Sequence, residues 1–174
     1  RWFQYGTFCP LFRVHGQFPY REMFNISPDD HPAYQTMLAY DKLRYRLMPY
    51  IYSLAGMVTH RDYTIMRGLV MDFSGDPQAL NIDDQFMFGP AMMINPVTDY
   101  KVRQRPVYLP AGSDWYDFRS GRHYAGGKVI PADAPYTDIP IFVKSGSIVP
   151  FGPDIQYTAE KKPDPIRLYV YTGR

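Results

Sequence analysis

From about residue 85 onward, turn signals interrupt the chain every few residues, and this rhythm limits what it can fold into. Pro110-Ala111-Gly112, Ser120-Gly121, Gly126-Gly127, Ser145-Gly146 and Gly152-Pro153 alternate with short apolar segments at 86–94, 105–109, 115–118, 127–131, 139–143, 147–149 and 166–171. Segments this short suit strands, so the spacing predicts an antiparallel sandwich. The polar stretch from Thr158 to Pro165 reads as a linker. The alternating residues 166–171 read as the first strand of another β-unit.

The first half has a different texture. Residues 1–11 read as a short aromatic helix, Phe12-Arg13-Val14-His15 as extended, and 16–30 as a loop. Asp30 is the expected N-cap of a long helix with Pro32 in its first turn. Leu43, Leu47, Tyr50, Ile51, Leu54 and Val58 repeat at spacings of three and four, which is one helix face, with Lys42, Arg44, Arg46 and Ser53 filling the rest. Pro49 should kink or divide this helix, and Gly56 lies near its end. Residues 64–73 read as a buried strand stopped by Ser74-Gly75-Asp76-Pro77, so helix and strand together make half a βαβ unit. The local reading is an α/β piece, then an all-β sandwich, then the start of a third unit. No internal repeat is apparent.

Several function classes are disfavoured by composition. Of the 174 residues, 45% are apolar and 21% charged, an ordinary globular balance. The net charge is only +2 with no clustered Lys/Arg run, so no nucleic-acid partner is expected. Cys9 is alone, and the histidines at 15, 31, 60 and 123 are scattered without zinc spacing, so neither disulfide nor metal is expected. No apolar run reaches the roughly 18 residues of a membrane-spanning helix. No export signal is visible. Both ends fall inside apolar patterns, however, and the expectation is a piece of a longer chain, with periplasmic, extracellular and cytoplasmic locations all open.

Aromatics are in excess at 17% of the chain. Flat rings stack on the C–H faces of sugars, but they also fill cores. Trp2 and Trp115 are read as packing, and so are the nine methionines. Phe18, Tyr20 and Phe24 either line a binding mouth or pack on neighbouring loops.

A set of motifs goes further. Arg1-Trp2-Phe3-Gln4-Tyr5-Gly6-Thr7-Phe8-Cys9-Pro10 leads to Arg13-Val14-His15, then to Arg21-Glu22. Leu43-Arg44-Tyr45-Arg46-Leu47-Met48-Pro49-Tyr50-Ile51-Tyr52 follows. Next come Asp84-Gln85-Phe86-Met87-Phe88-Gly89-Pro90, Ile94-Asn95-Pro96-Val97, Val107-Tyr108-Leu109-Pro110-Ala111-Gly112, Trp115-Tyr116-Asp117-Phe118, and the run from Ile139 to Pro150. In order and spacing, this series resembles the C-terminal third of retaining α-glycosidases of glycoside hydrolase family 31. The segment from Phe12 through Glu22 and residues 62–67 are most similar to its α-xylosidases.

The resemblance implies the last strands and helices of a (β/α)8 TIM barrel over residues 1–82. It implies a proximal β-sandwich over 83–162 and the start of a distal β-domain from 163. The implied reaction is double-displacement hydrolysis of non-reducing α-linked xylose from oligosaccharides such as xyloglucan fragments, by two carboxylates about 5–5.5 Å apart and without cofactor. Both are aspartates that the family carries before R-W-x-Q, so this piece should be inactive alone. Asp29-Asp30 and Asp83-Asp84 read as caps or solvated acids, and Glu22 as an ion-pair partner of Arg13 or Arg21.

His15 is the candidate substrate-binding residue. By pattern alone a lone His is more often structural. The family motif instead implies that it bonds hydroxyls of the sugar being cleaved, since a neutral imidazole donates at one nitrogen and accepts at the other. An α-glucosidase of the same family, and a non-catalytic carbohydrate-binding module, stand as alternatives. A homo-oligomer is possible.

Overall fold

The computed structural model describes residues 1–173. At its centre lies an antiparallel six-stranded sheet in the order β1-β2-β3-β8-β5-β6. Its strands are β1 (Met66–Gly68), β2 (Phe86–Phe88), β3 (Met92–Ile94), β5 (Trp115–Asp117), β6 (His123–Tyr124) and β8 (Ile141–Lys144). The expected single segment 86–94 is thus a hairpin, turned at Gly89, whose φ is +64°. An added Cβ there would lie 2.5 Å from both Leu54 Cδ2 and the Tyr50 hydroxyl, so both backbone sign and space demand glycine.

Alternation along the inner strands makes two cores. Phe86, Phe88, Met92, Ile94, Ile141 and Val143 pack toward the helices. Met87, Met93, Phe142 and Trp115 pack toward a two-stranded ribbon, β4 (Gln104–Leu109) with β7 (Lys128–Asp133), which contributes Val107, Leu109, Ile130 and Ala132. A strand covered on both faces reads as an unbroken apolar run, which is why Met92-Met93-Ile94 shows no alternation. The layers are therefore helices, sheet and ribbon. A second ribbon pairs β9 (Ile148–Phe151) with β10 (Arg167–Val170). The segment expected to open a further β-unit thus takes β9 as its partner within this chain.

The helical layer is α1 (Trp2–Gly6), α2 (Met23–Ile26), α3 (Pro32–Arg46) and α4 (Met48–Arg61). Proline divides the long helix as expected: α3 ends at Arg46, and Pro49 sits in the first turn of α4, where its missing N–H costs nothing. Leu47 and Leu54 are fully buried against the sheet, each contributing about 1.5–3 kcal/mol of burial. Val58 and Tyr52 are exposed, so the apolar face ends a turn earlier than its spacing suggests. Tyr50 reaches into the β2–β3 turn, donating to the Phe88 carbonyl (2.8 Å) and accepting from the Ala91 N–H (3.2 Å). Burial pushes the Tyr50 phenol well above its ordinary range.

Four local expectations are corrected. The N-cap of α3 is His31, whose Nδ1 accepts from the Ala33 N–H at 3.1 Å; Asp30 lies one residue too early for that bond. The loop 16–30 contains the short helix α2. Gly56 lies inside α4, which instead ends at Asp62 in the left-handed region. The 64–73 segment is three residues of strand followed by a helical turn, α5 (Leu69–Asp72), and β1 pairs antiparallel with β2. It is therefore an edge of the central sheet rather than half of a βαβ unit. That sheet begins at Met66.

Candidate functional site

The segment that carries His15 is held from below by α1 and α3. Arg44 of α3 donates to the carbonyls of Thr7 (2.7 Å), Cys9 (2.8 Å) and Pro10 (3.2 Å), the acceptors left open just past the end of α1. Phe12 then packs edge-on against Phe3 at 4.9 Å. Its ring lies so close to Gly6 that a Cβ there would meet it at 3.2 Å. Past Phe12 the chain leaves the core. Residues 13–15 form no ladder with any described strand, so the segment read as extended is not a paired strand among the described residues.

His15 is exposed. Arg13 Nη2 lies 3.2 Å from its Nδ1. A guanidinium can only donate, so this contact is a hydrogen bond in the tautomer whose Nδ1 accepts and whose Nε2 carries the proton. That nitrogen is a donor for an outside acceptor, and the Arg13 guanidinium beside it supplies more donors. Immediately after, Gly16 makes room for a tight return: a Cβ there would lie 2.7 Å from Arg21 Cγ and 2.9 Å from the Pro19 carbonyl oxygen. Phe18, Tyr20 and Phe24 follow at 89%, 63% and 71% exposure. Within the described residues these three side chains stand free of neighbouring loops.

Other candidates resolve as follows. Glu22 makes no ion pair with Arg13 or Arg21 among the described residues; its backbone carbonyl instead starts α2. Arg13 is engaged with His15 instead. Asp29 and Asp30 are exposed. Asp84 pairs with the buried Arg105, whose guanidinium also donates to the carbonyls of Asp84 and Pro96. Neither adjacent acid pair forms a facing couple. Trp115 is fully buried with its indole N–H on the Pro110 carbonyl (3.0 Å), as packing requires. Trp2, by contrast, is 85% exposed: α1 turns Phe3 and Gln4 inward and leaves Trp2 on its outer side. Among the described residues, no group of three His, Cys, Asp or Glu side chains is gathered to hold a metal, and no helix is long and apolar enough to cross a membrane.

Some anchors were not legible. Arg44 reads in sequence as surface filler, because only the fold shows that three carbonyls converge on it. Asp76 reads as part of a turn. In the structure it accepts from the Tyr108 hydroxyl (2.7 Å), the Ala111 N–H (2.8 Å) and the Gln78 N–H (3.1 Å). Burial by itself would raise its carboxyl, but these donors outweigh that and hold it below the usual range. Burial and the Asp76 carboxylate push the Tyr108 phenol up to about 12.

Comparison with known proteins agrees with this architecture. Residues 1–54 match the model of the glycosyl hydrolases family 31 TIM-barrel domain, and residues 62–149 that of the family's C-terminal domain. An α-xylosidase of Saccharolobus solfataricus is 43% identical over 174 residues, covering 100% of this chain and 23% of its own. Neutral α-glucosidase AB of Sus scrofa is 34% identical over 176 residues, covering 98% of this chain and 18% of its own. The crystal structure of the α-xylosidase from Xanthomonas citri superposes with a TM-score of 0.95 at 52% identity, over 99% of this chain and 19% of that one. The chain spans about a fifth of the length of these relatives.

Proposed function

Because this chain belongs to glycosyl hydrolase family 31, we propose that it is part of a retaining, exo-acting α-glycosidase that releases α-linked xylose from oligosaccharides such as xyloglucan fragments. The observation that carries this reading is the 43% identity to an α-xylosidase along the whole chain. In this proposal, residues 1–82 end the catalytic barrel, 83–162 are the proximal sandwich, and 163 onward begins a distal β-domain. The antiparallel sheet and its ribbon support the sandwich. The barrel part rests on the family model, since the described residues contain no parallel strand pair.

Mechanistically, the nucleophile and the acid/base are carboxylates outside this chain, acting by double displacement. The role of this chain is to hold the sugar. The Nε2–H of His15 donates to a ring hydroxyl, and Arg13 fixes the tautomer that makes this possible. Bonds that tighten as charge develops at the anomeric carbon lower the barrier. Exposure of His15 at the start of a loop braced by Arg44 and Gly16 supports this role. The exposed Trp2, Leu11 and Phe18 weigh against a stand-alone binding module, because such surface is ordinarily covered.

The test is the full-length enzyme on aryl α-xyloside and aryl α-glucoside side by side. A large preference in kcat/KM for the xyloside is expected. A large preference for the glucoside would move the assignment to an α-glucosidase, the reading favoured by the similarity to neutral α-glucosidase AB.

A further inference from the structure

Away from the His15 loop, a cleft of about 860 Å³ opens between α3 and the ends of β5, β6 and β7. That volume lies within the range of small-molecule and cofactor sites, about 300–1,000 Å³. None of residues 12–26 lines it.

The walls are fixed by hydrogen bonds. Tyr40 of α3 accepts from the Ile139 N–H at 3.0 Å. Arg1 fans across to the carbonyls of Val102 (3.2 Å), Ala134 (2.7 Å), Pro135 (2.9 Å) and Asp138 (2.6 Å), pinning the 134–138 loop that forms one side. Such a cleft is preformed, so filling it costs little ordering.

Its lining is mixed: apolar side chains supply more of the surface, and charges of both signs are set among them. The Asp138 carboxylate, nearly buried, faces Arg119 as an ion pair and accepts from the Thr137 hydroxyl at 3.3 Å. Arg122 and Tyr124 also line the cleft, the guanidinium 5.1 Å from the centre of the ring, and this cation–π pair is the plate. Asp117, Asp133 and Asp138 line the same cleft as the two arginines. No field of one sign exists to hold a phosphate, and the charged walls would desolvate poorly against an acyl chain. A neutral polyhydroxylated ligand fits: vicinal hydroxyls bond a carboxylate and a guanidinium together, while a C–H face lies on the plate.

We propose that this cleft is a second carbohydrate-binding site, holding a remote and unreacting part of an oligosaccharide. This rests on the glycosidase reading above and adds to it a place for the rest of the chain being trimmed. Because the site touches no reacting atom, it contributes uniform binding: it lowers KM for long substrates and leaves kcat unchanged.

The experiment uses the full-length enzyme with Thr36→Trp, which fills the cleft from α3, and separately Arg122→Ala, which removes the plate. Both are assayed on an aryl α-xyloside and on a xyloglucan oligosaccharide. The expected result is unchanged kinetics on the aryl glycoside and a KM raised about fivefold or more on the oligosaccharide, with kcat retained. A crystal soaked with the oligosaccharide should show a sugar ring beside Asp138. The proposal is overturned if both variants leave the oligosaccharide KM unchanged, or if the full-length structure fills the cleft with its own chain. If the enzyme cleaves only α-glucosides while the variants still raise KM selectively for long α-glucosides, the cleft stands and the xylose assignment falls.

Discussion

Replacing Tyr50 by Phe removes one oxygen and keeps the ring. The ring contact with Phe88, 5.9 Å between centroids, survives. What is lost is the hydroxyl that donates to the Phe88 carbonyl and accepts from the Ala91 N–H, both within the buried β2–β3 turn. Each buried backbone group left without a partner costs about 1–3 kcal/mol, so two cost about 2–4 kcal/mol after partial relaxation. The penalty is local, and hydrogen exchange of the full-length enzyme is the assay that resolves it. At about 1.4 kcal/mol per decade, protection across residues 86–94 should fall about 30- to 900-fold in Tyr50→Phe, with distant strands little changed. Tyr52→Phe is the control, since that side chain is 80% exposed and should change nothing. Unaltered protection of 86–94 in Tyr50→Phe would refute the claim that this phenol holds the turn.

Three further outcomes are expected. His15→Ala in the full-length enzyme should reduce kcat/KM by about 100-fold or more while circular dichroism stays native; near-normal turnover would remove His15 from the sugar site. The isolated 174-residue chain should show no glycosidase activity and should self-associate in sedimentation, driven by Trp2, Leu11, Phe18 and Phe24; a well-behaved, hydrolytically active monomer would contradict this. Because the folded-state carboxyl of Asp76 is held low, its stabilisation is full above the unfolded pKa near 3.9 and fades as pH falls through the lower folded value. Asp76→Asn should flatten that acid-side loss in urea titrations; an unchanged pH profile would show that Asp76 does not supply it.

How much could be read beforehand differs from element to element. The strands were legible because glycine and proline punctuate them, and the division of the helix was legible from Pro49. The α3 cap was missed because an imidazole nitrogen did the work of the usual carboxylate one residue earlier. The β1 strand was mistaken for half of a βαβ unit because an apolar run reports burial but not the direction of its neighbour. For the proposed site, His15 enters through its motif. Arg44 and Asp138 were invisible, since what makes each of them matter is a set of partners distant along the chain. Trp2 stands exposed among the described residues because the helix turn it occupies points away from the sheet.

The central sheet presents Phe86, Phe88, Met92 and Ile94 to the helices on one side and Met87 and Met93 to the ribbon on the other. Consecutive residues of a strand thus answer to two different neighbours. Chimaeras spliced between homologues near Asp62 would pair helices from one parent with a sheet shaped for another. Recombination should succeed only when those four inward side chains travel with Leu47, Tyr50 and Leu54, so these positions should be inherited as one block.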